Sequence, residues 1–383
     1  MKNLFILLPG PYLERDYFRF GINLFKKDFF VKAVDCTAWI YRNYWETYSK
    51  NVYKSEDYII ISCKEDFLNF TSQIGIGNTV IIDCLPHNKK TNWMRKLLRK
   101  KNCLFVVAYL GSIPLPKRNI MKILYKIILK PKKFASKLFR FLHDKYYISK
   151  RNIPDISVLG GLASLNMSKA KNKIYAHSMD YDVYLNIKNK QTDSNIPYAV
   201  FVDQNIVNHS DYIFFNLKPP ISENEYYPLL VKFLKKFTME TKLQVLFAVH
   251  PKSNILKLPN LLKGIKYTAG NTAELIKNSN MVLLHSSTSI SFAVLFNKPA
   301  VFLTSNKLKN SWIGPSIDNF AKTLNSRVIN MNNDLNECIN LQNLSKFDEG
   351  KYKNYLDQYL KVPNSPNAPL WEIVIDYIKH KQL

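Results

Sequence analysis

Residues 281–304 read MVLLHSSTSISFAVLFNKPAVFLT. Two short apolar runs in this stretch, MVLL and PAVFLT, predict β-strands, and the segment TSISFAVLFN between them predicts a helix. A strand, a helix and a second strand in so short a span are typical of the βαβ unit of a parallel sheet. The stretch therefore favours an α/β fold.

The same alternation continues in both directions from this unit, and polar segments between Asn166 and Asn195 divide it into two series. We predict an α/β protein with two Rossmann-like domains facing a central cleft, each with a parallel sheet covered on both faces. The predicted domains are residues 1–170 and 196–362, with a C-terminal helix at 363–383 that packs back on the first domain. The apolar runs that predict strands are NLFILL, FFVKAVDC, YIIISC, TVIIDC, NCLFVVAYL, ISVLGG, YAVFVD, LQVLFAVHP, MVLLHSS and PAVFLT.

The composition argues against several classes of protein. Hydrophobic residues make up 46% of the chain, which suits two full-sized cores, and the five cysteines include no CxxC pair. Scattered cysteines fit a reducing cytoplasm and no zinc site. No apolar run reaches the roughly 18 residues of a membrane-spanning helix, and the first apolar run is too short for a signal peptide. We expect a cytoplasmic protein.

Positive charge is concentrated in one part of the chain. The formal net charge is +26, and 17 lysines and arginines lie between Arg95 and Arg151 against one acid, Asp144. Apolar residues interleave them at helical spacing, which is typical of a basic amphipathic helix on a membrane surface. We predict that residues 88–151 face anionic lipid at the inner face of a bacterial membrane. A helix with a solvated lysine face is the plainer alternative, and without a recognisable DNA or RNA module we expect no nucleic-acid partner.

A histidine and a proline end one predicted strand. His250, Pro251 and Lys252 follow the apolar run LFAV, and ligands bind outside the carboxyl ends of strands in open α/β sheets. The proline would fix the turn and hold the imidazole out of the sheet. The imidazole could then contact a phosphate or a ribose, or act as an acid. A histidine that merely caps the strand is the alternative.

Three hydroxyl residues follow another strand. Ser286, Ser287 and Thr288 lie where the sequence predicts that a helix begins. Hydroxyls together with the backbone N–H groups of a helix N-terminus form an anion site, so we predict phosphate binding here. Ordinary N-capping by one serine is the alternative.

A third strand end carries a carboxylate. Asp203 ends the run YAVFVD, and such a carboxylate can be a general base, a nucleophile or a turn cap. Gln204 and His209 follow on the same loop and are candidates for substrate contact.

The first predicted helix carries Arg15, Asp16 and Arg19 near the end of the first strand. Arginines there suit a ligand that bears a carboxylate or phosphate, and the alternative is a surface Arg–Asp pair. The chain lacks GxGxxG, GxxxxGK[ST] and GxSxG motifs, which argues against a dinucleotide site, a P-loop and a hydrolase elbow. Its one DxD-like sequence, Asp180 to Asp182, is interpreted as structural, so no metal is expected.

The combination of His-Pro at one strand end with Ser-Ser-Thr after a later strand resembles the CMP-binding half of bacterial sialyltransferases and Kdo transferases. The chain as a whole looks like bacterial surface-carbohydrate enzymes related to the retaining β-Kdo transferases, which have the two-domain GT-B fold. The stretches that carry the resemblance are RDYFRFG, HSMDYDVYL, FVDQN, ENEYYPLL, AVHPKS, TAELIKNSN and HSSTSISFAVLFNKPAVF.

The resemblance implies a glycosyltransferase that moves a CMP-activated ulosonic acid, Kdo or a related nonulosonic acid, to a lipid-linked or surface glycan. The first domain would bind the acceptor and the second the CMP-sugar. His250 would contact the phosphate or leaving group, the three hydroxyl residues would hold that phosphate, and Asp203 would be the catalytic carboxylate of a retaining reaction. The CMP-sugar is a co-substrate, and no cofactor or metal is implied. The sequence FVDQN departs from the acidic motif of the sialyltransferases.

Two other interpretations remain open from the residues. A UDP- or GDP-sugar enzyme of similar fold is a rival within the same class. A non-catalytic basic protein on the membrane surface is a rival from another class, and it predicts that Asp203 and His250 are dispensable.

Overall fold

The computed structural model describes residues 2–116, 153–191, 196–209, 212, 217–333 and 341–381. The chain divides into two compact units, each built around a parallel sheet. The first unit contains the described residues up to 110, those from 153 to 177 and those from 364 onward. The second contains residues 111–116 and those from 178 to 363.

Seven parallel strands form the sheet of the first unit. They are β1 (Lys2–Leu8), β2 (Phe29–Asp35), β3 (Tyr58–Ile60), β4 (Thr79–Asp83), β5 (Leu104–Tyr109), β6 (Ile156–Leu159) and β7 (Asn172–Tyr175). Their order across the sheet is β3-β2-β1-β4-β5-β6-β7. The apolar runs predicted the first six, and β7 was missed because its polar sequence NKIY lies at the edge of the sheet.

Six parallel strands form the sheet of the second unit. They are β8 (Tyr198–Val202), β9 (Gln244–Val249), β10 (Lys266–Ala269), β11 (Met281–Leu284), β12 (Ala300–Thr304) and β13 (Val328–Asn330). Their order is β10-β9-β8-β11-β12-β13. The sequence predicted the four central strands and missed the two edge strands, which are short and partly exposed.

Helices connect the strands in both units. In the described residues they are α1 (Glu14–Arg19), α2 (Ile22–Phe25), α3 (Thr37–Ile40), α4 (Arg42–Tyr48), α5 (Lys64–Ser72), α6 (Lys89–Lys100), α7 (Met179–Ile187), α8 (Glu223–Thr241), α9 (Leu258–Leu262), α10 (Thr272–Asn278), α11 (Ile290–Leu295), α12 (Asn306–Lys309), α13 (Gly314–Leu324), α14 (Leu341–Leu344), α15 (Glu349–Tyr355) and α16 (Leu370–His380). Short 3₁₀ segments lie at Ser49–Asn51, Leu162–Met167 and Ile255–Lys257, and a π-helical turn lies at Leu356–Leu360.

The core of the second unit explains why its central strands are apolar throughout. All four residues of β11 are completely buried, because helices cover both faces of this sheet. All five residues of the neighbouring strand β12 are buried, as are all residues of β8 after Tyr198. Burial of this kind favours continuous apolar runs over the alternating pattern of a half-exposed strand, which is why these strands could be recognised in the sequence.

The C-terminal helix α16 belongs to the first unit and packs against α2. The indole ring of Trp371 lies 5.6 Å from the ring of Phe25, and its Nε1 donates a hydrogen bond to the carbonyl of Arg19 at 2.8 Å. Gly21 has φ of 62°, and a Cβ atom at this position would lie 2.5 Å from the Trp371 ring. The glycine is therefore required both by the backbone conformation and by the close approach of α16.

Arg95 was counted in the predicted membrane-facing segment, and that assignment was wrong. Its side chain on α6 is buried, and it forms an ion pair with Asp83 at the end of β4, with Nε and Oδ2 2.6 Å apart. The guanidinium also donates to the carbonyls of Leu85 and Pro86. Arg95 thus stabilises the turn between β4 and α6. Residues 117–152, which carry most of the predicted basic segment, lie outside the described residues.

Candidate functional site

The connections in the second sheet change direction at β8. This strand pairs with β9 on one side and with β11 on the other. The chain builds one half of the sheet from β8 to β10 and then returns to the other side of β8 to build the half from β11 to β13. The crevice outside the carboxyl ends at such a point is the usual ligand site of an open α/β sheet. Asp203, His250 and His285 are the residues that follow β8, β9 and β11.

Asp203 connects the end of β8 to the turn after β9. Its side chain is 3% exposed, and Oδ2 accepts hydrogen bonds from the backbone N–H of His250 at 3.2 Å and from the Ser253 hydroxyl at 2.8 Å. Its Oδ1 accepts from the N–H of Asn205 at 2.8 Å. Burial raises the pKa of the Asp203 carboxyl above its ordinary value, although these donors act in the opposite direction. The hydrogen bonds on both oxygens favour a positioning role over attack on a substrate.

Gln204 connects the same strand end to the turn after β11. Its Oε1 accepts from the backbone N–H of Ser286 at 2.8 Å, and its Nε2 donates to the Ser286 hydroxyl at 3.3 Å. Two successive side chains after β8 therefore bind the turns of both neighbouring strands. We call this pair the Asp203–Gln204 bridge. It connects the carboxyl ends of the adjacent strands β9, β8 and β11, where the order of connection in the sheet reverses.

His250 is held in a defined orientation on this edge. Its Nδ1 accepts a hydrogen bond from the backbone N–H of Lys252 at 3.1 Å, so in the neutral ring the proton is on Nε2. The ring lies 5.3 Å from the ring of His209, centroid to centroid. Pro251 is exposed at the start of the turn. The structure thus brings His250, Lys252 and His209 together with Asp203, and a ligand role for these residues stays a prediction.

The three predicted hydroxyl residues lie before the helix and not in its first turn. Helix α11 begins at Ile290, and the N-cap is Ser289. The Ser287 hydroxyl is buried and accepts from the N–H of Ser289 at 3.2 Å, whereas Thr288 is exposed. The Ser287 hydroxyl therefore stabilises the turn that precedes the helix, while Ser286 and Thr288 lie in the same turn beside the Asp203–Gln204 bridge.

His285 has a structural environment that the sequence did not distinguish from that of His250. It is completely buried. Its Nδ1 lies 2.7 Å from the carbonyl oxygen of Leu303, and its Nε2 lies 3.0 Å from the hydroxyl of Tyr226 on α8. A carbonyl can only accept, so the ring proton is on Nδ1 and the tyrosine donates to Nε2. Burial lowers the pKa of His285 from 6.5 to about 4, which keeps the ring neutral.

A row of aromatic rings extends along the same edge from His250. His209 lies next to Tyr212 at 6.0 Å, and Tyr212 makes an edge-to-face contact with Trp312 at 5.9 Å. The Tyr212 hydroxyl donates to the carbonyl of Ile206 at 2.7 Å, which fixes the middle of the row. We call His250, His209, Tyr212 and Trp312 the ring row.

The predicted substrate residues of the first unit all lie on α1. Arg15 is exposed, and its Nε lies 3.6 Å from Oδ1 of Asp16. Asp16 also accepts from the N–H of Leu13 at 3.0 Å, so it caps the helix. Arg19 is exposed in the last turn. The Arg15–Asp16 contact corresponds to the surface-pair alternative, and a ligand role for these residues stays a prediction.

Neither a metal centre nor a membrane span is evident in the described residues. Among them, no three His, Cys, Asp or Glu side chains are grouped to hold a metal ion. Asp180 and Asp182 lie in the first turn of α7, where acidic side chains interact favourably with the helix dipole. No helix within the described ranges is long and apolar enough to cross a membrane.

A cavity of about 670 Å³ opens at the other end of the strands of the second sheet, beside the first residues of β8 and β9. Two cationic groups on its wall are already engaged, since Lys190 pairs with Glu274 at 2.7 Å and Lys277 donates to the carbonyl of Ile187 at 2.8 Å. We therefore assign the candidate site to the edge that carries the Asp203–Gln204 bridge.

Three contributors to this edge were missed by the sequence interpretation, namely Asn205, Ser253 and Trp312. The motif HPKS contained Ser253, but its spacing from Asp203 gave no indication of a hydrogen bond across 50 residues. Trp312 follows a short helix after β12, and no motif marks it.

Comparison with known proteins supports the fold and not a family. No protein-family model matches the chain, and no curated protein matches it. The solved wall teichoic acid polymerase TagF aligns with 100% of this chain and 90% of its own, at 12% identity and a TM-score of 0.55. Its H444N variant with CDPG aligns with a TM-score of 0.53 at 12% identity, over 100% of this chain and 89% of its own. Staphylococcus aureus MnaA with UDP aligns with a TM-score of 0.50 at 12% identity, over 100% and 98%. The α/β, GT-B fold class is thus confirmed.

Proposed function

We propose that this protein is a glycosyltransferase that binds a CMP-activated ulosonic acid over the Asp203–Gln204 bridge and transfers the sugar to a bacterial surface glycan. The observation that carries the proposal is the bridge itself, which fixes the ends of β8, β9 and β11 at the sheet's switch point. His250 and the hydroxyl turn 286–288, the two features of the resemblance, lie at its two ends.

The edge offers neutral and cationic donors suited to a phosphate. The neutral ring of His250 carries its proton on Nε2, because its Nδ1 accepts a hydrogen bond from the turn. Thr288 provides an exposed hydroxyl on the other side, and Lys252 adds a positive charge in the same turn as His250. Such donors stabilise the charge of a departing nucleotide phosphate. During transfer, the bond between the anomeric carbon and the CMP phosphate oxygen breaks with its electrons on the phosphate. The acceptor hydroxyl oxygen forms the new bond to the anomeric carbon, and its proton passes to the departing phosphate.

Asp203 enters this proposal as a positioning residue. Its carboxylate accepts hydrogen bonds from the backbone N–H of His250 and from the Ser253 hydroxyl, so it fixes the position of the turn that carries the histidine. The nucleophilic role implied by the resemblance would require an oxygen directed at the donor, whereas both oxygens are committed to the protein. Loss of this carboxylate should therefore act through His250.

A panel of nucleotides tests the proposal. We expect CMP to raise the melting temperature more than UMP, UDP, GDP or ADP, because the proposed donor is a CMP-sugar. A ligand that binds only the folded protein stabilises it against unfolding. His250→Ala should abolish the shift, whereas His380→Ala, which changes an exposed histidine of α16, should retain it. A larger shift with UDP or GDP, or no shift with any nucleotide, would contradict the proposal.

One observation favours a second candidate. The fold resembles that of TagF, which has been solved with CDPG. A transferase that uses CDPG would bind CDPG, in place of a CMP-sugar, at the same phosphate-binding turns. Including CDPG in the panel separates the two, because CDPG rather than CMP or a CMP-sugar would then give the larger shift and support turnover.

A further inference from the structure

The ring row ends in an exposed tryptophan that packing does not explain. Trp312 is 51% exposed, although large aromatic side chains contribute most to stability when they are buried. It is the only tryptophan in the sequence between residues 178 and 363. Its Nε1 donates to the carbonyl of Lys218 at 3.4 Å, and its ring stands against Tyr212 at an angle of 85°. These two contacts hold the indole in one orientation with much of its surface in solvent.

The position of Trp312 matches the size of a nucleotide site. His250 follows β9 and Trp312 lies beyond β12, and these strands are three spacings apart, about 14 Å. The Asp203–Gln204 bridge lies between them. A phosphate bound over the bridge leaves the rest of its nucleotide within one or two strand spacings, and the ring row leads from His250 through His209 and Tyr212 to Trp312.

We propose that the indole of Trp312 is the stacking platform for the base of the bound nucleotide. This inference rests on the proposed function, because it places the base relative to the phosphate over the bridge. A rigid aromatic face beside a phosphate site suits a nucleobase, since every base has a flat π-surface. Stacking tolerates any base, so Trp312 contributes affinity while other contacts select cytosine.

Calorimetric titration of the full chain with CMP and with ribose 5-phosphate, which lacks the base, tests the inference. Trp312→Ala should weaken CMP binding by about 5- to 150-fold, the range for loss of one base–aromatic stack. It should leave the affinity for ribose 5-phosphate unchanged. Trp312→Phe, which keeps a flat ring, should lose less than the alanine variant. Trp45→Ala, a tryptophan change in the first unit, is the matched control and should leave both affinities unchanged.

Three results would overturn the inference. CMP could bind Trp312→Ala as tightly as it binds the wild type. The binding of CMP and the binding of ribose 5-phosphate could be weakened equally by Trp312→Ala, which would indicate a role at the phosphate. Only the binding of the complete CMP-sugar could be weakened, which would place the transferred sugar against the indole. If the wild-type protein bound no nucleotide, the proposed function itself would fail, and that result is distinct from failure of the tryptophan variants. Melting temperatures of the variants establish that they are folded.

Discussion

Replacement of His285 by glutamine should change how stability depends on pH. The folded protein holds the His285 pKa at about 4, compared with 6.5 in the unfolded chain, because the ring is buried. As the pH falls below 6.5, the imidazole binds a proton in the unfolded state but stays neutral in the folded state. The free energy of unfolding therefore decreases. The full difference corresponds to about 3 kcal/mol, and about 2 kcal/mol of it is lost by pH 5.

Urea unfolding between pH 7 and pH 5 measures this effect. Other groups also titrate in this range, so the relevant quantity is the unfolding free energy of the wild type minus that of His285→Gln at each pH. We expect this difference to fall by about 2 kcal/mol as the pH decreases to 5. Tyr226→Phe should be destabilised at every pH, by about 1–3 kcal/mol, because it removes the donor to Nε2. It should keep the acid-dependent loss, since the histidine stays buried. A difference between wild type and His285→Gln that is constant with pH would refute this reasoning.

Further predictions concern one residue each. Arg95→Met should lower the unfolding free energy by about 3–5 kcal/mol in chemical denaturation, because it leaves the buried Asp83 carboxylate without its cation; a loss below 1 kcal/mol would contradict the buried pair. Gly21→Ala should lower it by about 1–3 kcal/mol through overpacking against Trp371, and an unchanged melting temperature would show that α16 does not approach α2 this closely. Ser253→Ala should lose about 1.5–3 kcal/mol as a hydrogen bond to a buried carboxylate is removed, and it should also weaken CMP binding; tight CMP binding by this variant would contradict the positioning role.

The sheet architecture was predictable because central strands of both sheets, such as β4 and β11, are buried on their two faces. Strands such as β8 and β11 must then be apolar along their whole length, and this pattern is visible in one sequence. The strands that were missed are β7, β10 and β13, which lie at the sheet edges and carry polar residues. Edge strands bury fewer side chains, so their sequences are less constrained by packing.

The candidate site was only partly predictable because identical residue types have different environments. His250 and His285 both follow an apolar strand, yet one lies on the edge beside His209 and the other is enclosed by α8 and β12. Arg95 was assigned to the basic membrane-facing segment, but it is buried, and its partner Asp83 lies 12 residues earlier on a buried strand. Such distinctions depend on long-range packing, which local patterns do not contain.

The most direct test of a nucleotide site on the Asp203–Gln204 bridge is hydrogen–deuterium exchange with and without CMP. Bound nucleotide should slow exchange in peptides that cover residues 203–209, 250–253 and 285–289, where the bridge and its two turns lie. Protection confined to these peptides would support the assignment of the site. Protection around Lys190, Gln244 and Lys266, at the other end of the strands, or no protection at saturating CMP, would contradict it.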